Sequence, residues 1–457
     1  MAGVGKTAMA SVLARQYAKP EKVFWHSFHA REGIETIIWK LAGFLAWHGQ
    51  GELWRMLQIT QQTGGQTQTP ENLFDYVIEL VKGQNYLLCF DDFQFVDDDP
   101  RLNQLVGRLR EAVFAGELSI IITSRRIPEF VNVVDFDPLS GMSIDDTQLL
   151  LQKQGFDLSS RHLAALHLHT GGNAQLLRLA INAIEDVEDP SELIRTLSET
   201  EDIERYLLKE VDDALTGEER DVMGIIAIFL GYAGSYDAIA SLFEAKGVRR
   251  SLRRLSDRQL LIINDGEYGK EYVQHSIVQA FYYDHFAKGR RRKMHLQAAD
   301  FYDAEEPDLL KTTMHAERGG DAERAADLAN AHVRTFINLG QARSLQAILD
   351  RFKENAFKRD DWVTVLITTG HIYALLGERD KAHIFFKDAT EKLGTINNDK
   401  EASEFANICL RMGELLSKEN PEKAISWLQK GLEYEQRLND LHKADLYNQL
   451  GITYKDF

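Results

Sequence analysis

Near the start of the chain stand Gly3-Val4-Gly5-Lys6-Thr7, followed by Ala8. A glycine turn ending in Lys-Thr at the head of a helix can hold phosphate. Free backbone N–H groups and the helix N-terminus face the anion, the lysine neutralises its oxygens, and the threonine hydroxyl ligates Mg2+. The stretch matches only the second half of the pattern G-x-x-x-x-G-K-[ST], whose first glycine would precede Met1. Alone, it is also readable as an ordinary glycine turn before a helix.

Two strand ends offer complementary groups. In "NYLLCFDDFQFVDDD" the apolar run Tyr86–Phe90 reads as a buried parallel strand. Asp91 and Asp92 follow at its C-terminal end, where open α/β sheets place ligands. Asp91 suits the Mg2+ side of a phosphate site, and Asp92 could polarise an attacking water. Asp97, Asp98 and Asp99 read as a solvated loop or a helix start. In "ELSIIITSRR" another buried strand ends in Thr123-Ser124-Arg125-Arg126. Arg125 there can reach a γ-phosphate as an arginine finger does in cis; either arginine is equally readable as a surface charge. The loop and the two strand ends in this order carry more weight than any one of them.

The elements that must position these groups follow from periodicity. Met9, Val12, Leu13 and Tyr17 recur at helical spacing after the loop. "KVFWHSF" reads as a strand and "GIETIIWKLAGFLAWHG" as a helix. The order GVGKT, LLCFDD, IIITSR, then "LHTGGNAQLLRLAINAI" resembles the STAND class of signalling ATPases, NB-ARC-like proteins included. The resemblance implies ATP or ADP with Mg2+, bound through Gly3, Val4, Gly5, Lys6, Thr7, Ala8 and Asp91. It also implies a helical lid whose Gly172 and Asn173 lie beside the nucleotide; the proline of the family's motif is here Ala174. Asp92 stands where many related ATPases have Glu, which implies slow turnover at most.

From about Ile203 to His285 the chain reads as helices followed by a hairpin around Asp265-Gly266, the order of a winged helix. Thr216 is the expected N-cap of "GEERDVMGIIAI", with Glu218 and Glu219 in its first turn. Arg249, Arg250, Arg253, Arg254 and Arg258 fall on the third helix, where a DNA reader carries its recognition residues. The resemblance implies a different use: the winged helix locks the nucleotide site and a histidine contacts the ADP β-phosphate. The matching stretch is Gln274-His275-Ser276, with the His kept and the family's Asp absent. His275 is otherwise readable as structural, and Lys288–Lys293 as a solvated junction.

The last third repeats a small-then-large pattern: Gly370, Tyr373, Ala382, Phe386, Ala389, then Gly413, Leu416, Ala424, Leu428, Gly431. A third copy begins with Gly451 and Tyr454. This spacing is that of tetratricopeptide-type repeats, whose concave surface takes a partner or serves as a spacer. "HAERGGDAERAADLANAHV" reads as a degenerate connector.

The 457 residues, 44% hydrophobic, suffice for two to four packed domains. A net charge of -17 opposes a chain-wide nucleic-acid surface. Cys89 and Cys409 show no metal spacing and no disulfide framework, and no run is long enough to span a bilayer. The expected fold is multidomain: an α/β P-loop NTPase core with a parallel sheet lacking its first strand (1–136), a helical lid (137–195), a winged helix (196–288), a helical connector (289–345) and tetratricopeptide-like repeats (346–457). The expected product is the middle of a longer one, cut at both ends. The expected role is a cytoplasmic ATP/ADP switch, gated by a protein or small ligand on the repeats and self-associating with ATP. The alternatives are a DNA-binding regulator, with nucleic acid the less favoured partner, and an inactive repeat scaffold.

Overall fold

The computed structural model describes residues 3–17, 19–29, 32–63, 70–128, 130–131, 138–185, 190–200, 202–243 and 247–456. The boundary expected at 136–137 lies outside them. Backbone contacts divide the chain into two units: Met1–Ala30, Leu41–Leu53 and Thr67–Pro307 form the first, and Arg31–Lys40, Trp54–Gln66 and Asp308–Phe457 the second.

The first unit opens with helix α1 (Lys6–Tyr17) and strand β1 (Val23–Ser27). Along the chain, helices α2 (Ile34–Trp47), α3 (Glu52–Thr63) and α4 (Pro70–Val81) precede β2 (Leu87–Asp91), and α5 (Pro100–Phe114) precedes β3 (Ser119–Ile122); the first half of α2 and nearly all of α3 belong to the second unit. The strands make a parallel sheet in the order β1-β2-β3, with Trp25 opposite Cys89 and Cys89 opposite Ile121. β2 is buried throughout, as expected for a strand flanked on both sides, whereas β3 is half-buried along its length. Of the three acids after Asp92, Asp99 caps α5 by accepting from the N–H groups of Arg101 and Leu102, with Pro100 at the first helical position.

α1 differs from the periodicity reading. Met9, Val12, Leu13 and Tyr17 are all exposed, and the buried face is Ala10 and Ala14. Ala14 packs on Leu87 and Cys89 of β2. A helix lying close on a sheet needs small side chains at the contact, so the spacing identified a helix but not its inner face.

Next come α6 (Ile144–Lys153), α7 (Ser160–Thr170), α8 (Ala174–Glu185), α9 (Pro190–Glu199) and α10 (Ile203–Ala214). They are followed by α11 (Gly217–Ile228), β4 (Gly234–Ser235), α12 (Tyr236–Leu242), α13 (Val248–Asp257), β5 (Ile262–Gly266), β6 (Gly269–Val273), α14 (Ser276–His285) and α15 (Lys288–Ala304). One apolar core runs through these elements, from Leu151 to Tyr302. Thr216 and Glu219 form a capping box at the head of α11. The hairpin turns at Glu267-Tyr268, two residues later than Asp265-Gly266, because Gly266 pairs with Gly269 and Gly269 takes a φ of +100°. β4 adds a short third strand beside β6. α15 belongs to this core through Met294, Ala298, Phe301 and Tyr302, so the connector expected over 289–345 is divided between the two units.

The second unit contains α16 (Leu309–Gly319), α17 (Ala322–Ala331), α18 (Val333–Asn338), α19 (Ala342–Leu349), α20 (Arg359–Leu375), α21 (Arg379–Leu393), α22 (Asp399–Leu416), α23 (Pro421–Leu432) and α24 (Asp440–Asp456). The small-to-large pattern is the contact itself. A Cβ on Gly370 would lie 2.6 Å from the Phe386 ring, and one on Gly413 would lie 2.6 Å from Leu428. Phe386 and Leu428 are fully buried, filling the space that the glycines leave. Between α20 and α22, Lys400 pairs with Asp360 at 3.7 Å and Thr364 Oγ1 donates to Glu404 at 3.4 Å. Helix pairing starts upstream of 346: α16 and α17 are in contact and carry the buried alanines Ala316, Ala325 and Ala329.

Candidate phosphate-binding site

The site lies in the first unit, at the C-terminal end of the three-stranded sheet. Gly3 and Gly5 adopt φ of +77° and +103°, the left-handed turn that leads into α1. The Gly5 carbonyl accepts from Met9 N–H at 2.9 Å, so Lys6 and Thr7 open the helix. Ala8 is exposed on its first turn and Val4 is buried.

Asp91 ends β2 and is 3% exposed, so each partner on its carboxylate counts. Three hydroxyls meet it. Thr7 Oγ1 lies 2.9 Å from Oδ1 and 3.1 Å from Oδ2. Thr123 Oγ1 donates to Oδ1 at 2.5 Å, and Ser27 Oγ to Oδ2 at 3.2 Å. The loop helix and three strand ends therefore converge on one carboxylate. Among the described residues no group of three or more His, Cys, Asp or Glu side chains could hold a metal. The adjoining Thr7 and Asp91 instead fit a hard cation that takes its other ligands from water and phosphate.

The Lys6 ammonium is held below its usual pKa, chiefly by burial. Asp92 pulls it up, Arg125 pushes it down and Asp91 pulls it up again, so these four groups share one field. Asp92 sits in the left-handed region at φ 55° and ψ 41°, and its N–H donates to Thr123 Oγ1 at 3.0 Å. Gln94 Nε2 donates to Asp92 Oδ1 at 2.9 Å, and Gln94 Oε1 accepts the Arg125 N–H at 2.9 Å. The Arg125 guanidinium donates to Ser276 Oγ at 3.2 Å.

His275 therefore reaches the same place. It lies just after β6 as the N-cap residue of α14, not within a strand. Burial lowers its pKa, Arg178 of α8 lowers it further, and Asp92 opposes them. His29, beyond β1, stacks on Tyr232 at 5.0 Å, a second contact between the sheet end and the helical region after it.

Gly172 and Asn173 have structural duties. The Asn173 side chain caps α8, accepting from Gln175 N–H at 3.0 Å and Leu176 N–H at 3.3 Å. Gln175 N–H also donates to the Gly3 carbonyl at 3.1 Å, which fixes the head of α8 to the phosphate loop. The Gly172 carbonyl accepts from Met142 N–H at 2.7 Å, and a Cβ on Gly172 would lie 2.3 Å from Met142 O. That close backbone crossing requires glycine. It also brings Leu139–Ser143 opposite Val4, Gly5 and Met9, around a cavity of about 450 Å³.

No protein-family model matches the chain, and no curated protein matches it. A solved structure does: the Signal Transduction ATPase with Numerous Domains (STAND) protein with a tetratricopeptide repeat sensor from Pyrococcus horikoshii. The likeness has a TM-score of 0.58 at 18% identity and covers 100% of this chain and 70% of that one. The chain shares that protein's fold.

Of the residues singled out by sequence, the structure gathers Lys6, Thr7, Asp91, Asp92, Arg125 and His275 at one end of the sheet. Ser27, Gln94, Thr123, Arg178 and Ser276 join them and were not anticipated as site residues. Thr123 carried a sequence signal in its place at a strand end, and Ser276 in its place beside His275.

Four of the five arginines of α13 and its C-terminal end have contacts within the chain, the Arg253 pair lying on the surface. Arg258 donates to the Asn182 side chain at 3.2 Å and its carbonyl at 3.3 Å. Arg254 lies 3.7 Å from Glu219, Arg253 lies 3.9 Å from Asp257, and Arg249 covers Tyr236 at 5.0 Å. The hairpin carries Asp265, Glu267 and Glu271 against Lys270, the wrong sign for a phosphate backbone. In the basic run at the start of α15, Arg290 pairs with Asp221 and Arg291 with Asp284. No helix among the described residues is long and apolar enough to cross a membrane.

Proposed function

We propose that the chain is an adenine-nucleotide switch of the STAND type, holding ATP or ADP with Mg2+ at the end of the sheet. The observation that carries this reading is the joining of Thr7, Thr123 and Ser27 on buried Asp91, with Lys6 beside them. The fold shared with the archaeal STAND protein supports it.

Lys6 and the N–H groups of Gly3–Ala8 bind the phosphates, and Thr7 and Asp91 hold the Mg2+. The bound ion neutralises phosphate charge. The cavity between Leu139–Ser143 and the phosphate loop is open to the base and ribose. Asp92 takes the proton of a water directed at the γ-phosphate, and Arg125 reads that phosphate. With ADP bound, His275 contacts the β-phosphate and Arg125 stays on Ser276, so helices α6–α14 close over the site. A γ-phosphate competes for Arg125 and favours the open, self-associating form. A protein or small ligand on the repeats shifts this balance only in so far as it binds one state better. Hydrolysis is slow because the base is the short Asp92.

The test is binding of a fluorescent ATP analogue with Mg2+ to the wild-type chain and to Lys6→Ala. Binding should be lost in the variant. Wild-type affinity there would reject the site.

A further inference from the structure

Gln94 belongs to no part of the phosphate loop, yet it touches both groups to which the proposed reaction assigns work. It lies in the short 3-10 turn Phe93–Phe95 that follows Asp92. Phe93 anchors this turn: its side chain is fully buried and meets Phe28 edge-on, with ring centroids 5.5 Å apart. Two backbone groups stitch the turn to the end of β3, Asp92 N–H on Thr123 Oγ1 at 3.0 Å and Phe93 N–H on Thr123 O at 2.9 Å. Held there, the Gln94 amide uses both ends. Its NH2 donates to Asp92 Oδ1 at 2.9 Å and its oxygen accepts the Arg125 N–H at 2.9 Å. The orientation is forced, since a flipped amide would set its oxygen on a carboxylate and its NH2 on an N–H. Among the described residues, Gln94 is the one hydrogen-bond donor to the Asp92 carboxylate.

We infer that Gln94 is a positioning residue, whose single amide sets the carboxylate of Asp92 and the backbone of Arg125 as one unit. The inference rests on the nucleotide reading above. In the step concerned, a water oxygen bonds to the γ-phosphorus while the bond from that phosphorus to the β,γ-bridging oxygen breaks. ADP leaves, and the water's proton passes to Asp92. With Oδ1 engaged by Gln94, Oδ2 faces the water. Movement of Arg125 toward a γ-phosphate is transmitted through its own N–H to the base. An arginine left on Ser276 keeps the base where the closed state holds it.

Two variants separate the ends of the amide. Gln94→Ala removes both contacts. Gln94→Glu keeps an acceptor for the Arg125 N–H but sets a second carboxylate against Asp92. In the 457-residue chain, kcat should fall about 10-fold or more in both, a part of the roughly 10²–10⁴ that a general base supplies. KM and ADP affinity should stay within about twofold, since only the transition-state contact is disturbed. Hydrogen exchange at the Arg125 amide, measured without nucleotide, should speed up in Gln94→Ala and stay slow in Gln94→Glu. Wild-type kcat in both variants would overturn the role of Gln94 and leave the nucleotide site standing. So would ADP binding as weak as in Lys6→Ala, which would make Gln94 a structural prop. Wild-type ADP binding by Lys6→Ala itself would instead remove the reading on which the inference rests.

Discussion

At the scale of single residues the site is a matter of convergence. Asp91 is buried, and its charge is tolerable because Thr7, Ser27 and Thr123 donate to it. Thr7 and Asp91 were legible because each belongs to a local pattern, a loop end and a strand end. Ser27 and Gln94 were not, because an isolated Ser or Gln gains meaning only from neighbours far away in sequence. His275 carries the residue-scale prediction. If it reads the ADP β-phosphate, His275→Ala should weaken ADP binding by roughly 10- to 100-fold, the value of about 1.5–3 kcal/mol for a hydrogen bond to a charged group. Light scattering with ADP present should then show spontaneous self-association. A monomer with wild-type ADP affinity, checked by calorimetric titration, would leave His275 a packing residue. Cys89 and Cys409 belong to the inert class: burial pushes their thiols up to about 11 and about 12.

Elements are decided by what lies across from them. The glycines of the repeats show this most simply. Replacing a helical glycine by alanine ordinarily stabilises by up to ~1 kcal/mol. At Gly370 the added methyl would meet the buried Phe386 ring at 2.6 Å, whereas nothing lies within 4 Å of a Cβ on Gly451. Gly370→Ala should therefore destabilise by about 1–3 kcal/mol, the usual penalty of overpacking. Gly451→Ala should be neutral or stabilising. Urea unfolding of the two variants reads the opposite signs directly, and equal shifts would show that the repeat pairs do not close on their glycines. α1 makes the converse point. Its apolar spacing was visible, yet the face laid on β2 is the alanine face, because the distance of helix from sheet selects for size.

Across the molecule, each unit holds a histidine kept neutral by its surroundings. His275 in the first is lowered by burial, with Arg178 adding to it and Asp92 opposing. His371 in the second is lowered to about 3, by burial first and then by Arg411 and Arg334. A base whose folded pKa lies below its unfolded value of about 6.5 binds its proton more readily when unfolded. Its contribution is thus intact above pH 6.5 and lost as the pH falls toward the folded value. For His371 that window runs from about 6.5 to about 3, and the slope is at most ~1.4 kcal/mol per pH unit. Urea midpoints between pH 6.5 and 4 should fall less steeply for His371→Leu than for the wild type. Parallel slopes would mean that His371 titrates freely. The surplus of acids, 70 Asp and Glu against 53 Lys and Arg, adds self-repulsion at higher pH in both chains alike and cancels from the comparison.

What the sequence determined by itself was whatever depends on neighbours along the chain. The phosphate-loop turn, the apolar β2 ending in two aspartates, the N-cap at Thr216 and the small-to-large repeat spacing are of this kind. Each is set by local dihedral preference or by a period of 2 or 3.6 residues, which needs no knowledge of the partner. The tertiary structure alone decided which groups meet. It gave Asp91 its three hydroxyls, set Arg258 on Asn182, carried α15 into the core of the first unit and stood Ser276 against Arg125. Those outcomes depend on contacts between segments tens to more than a hundred residues apart. A hydroxyl or a guanidinium can satisfy many such partners equally well, so its residue type does not say which one the fold will bring.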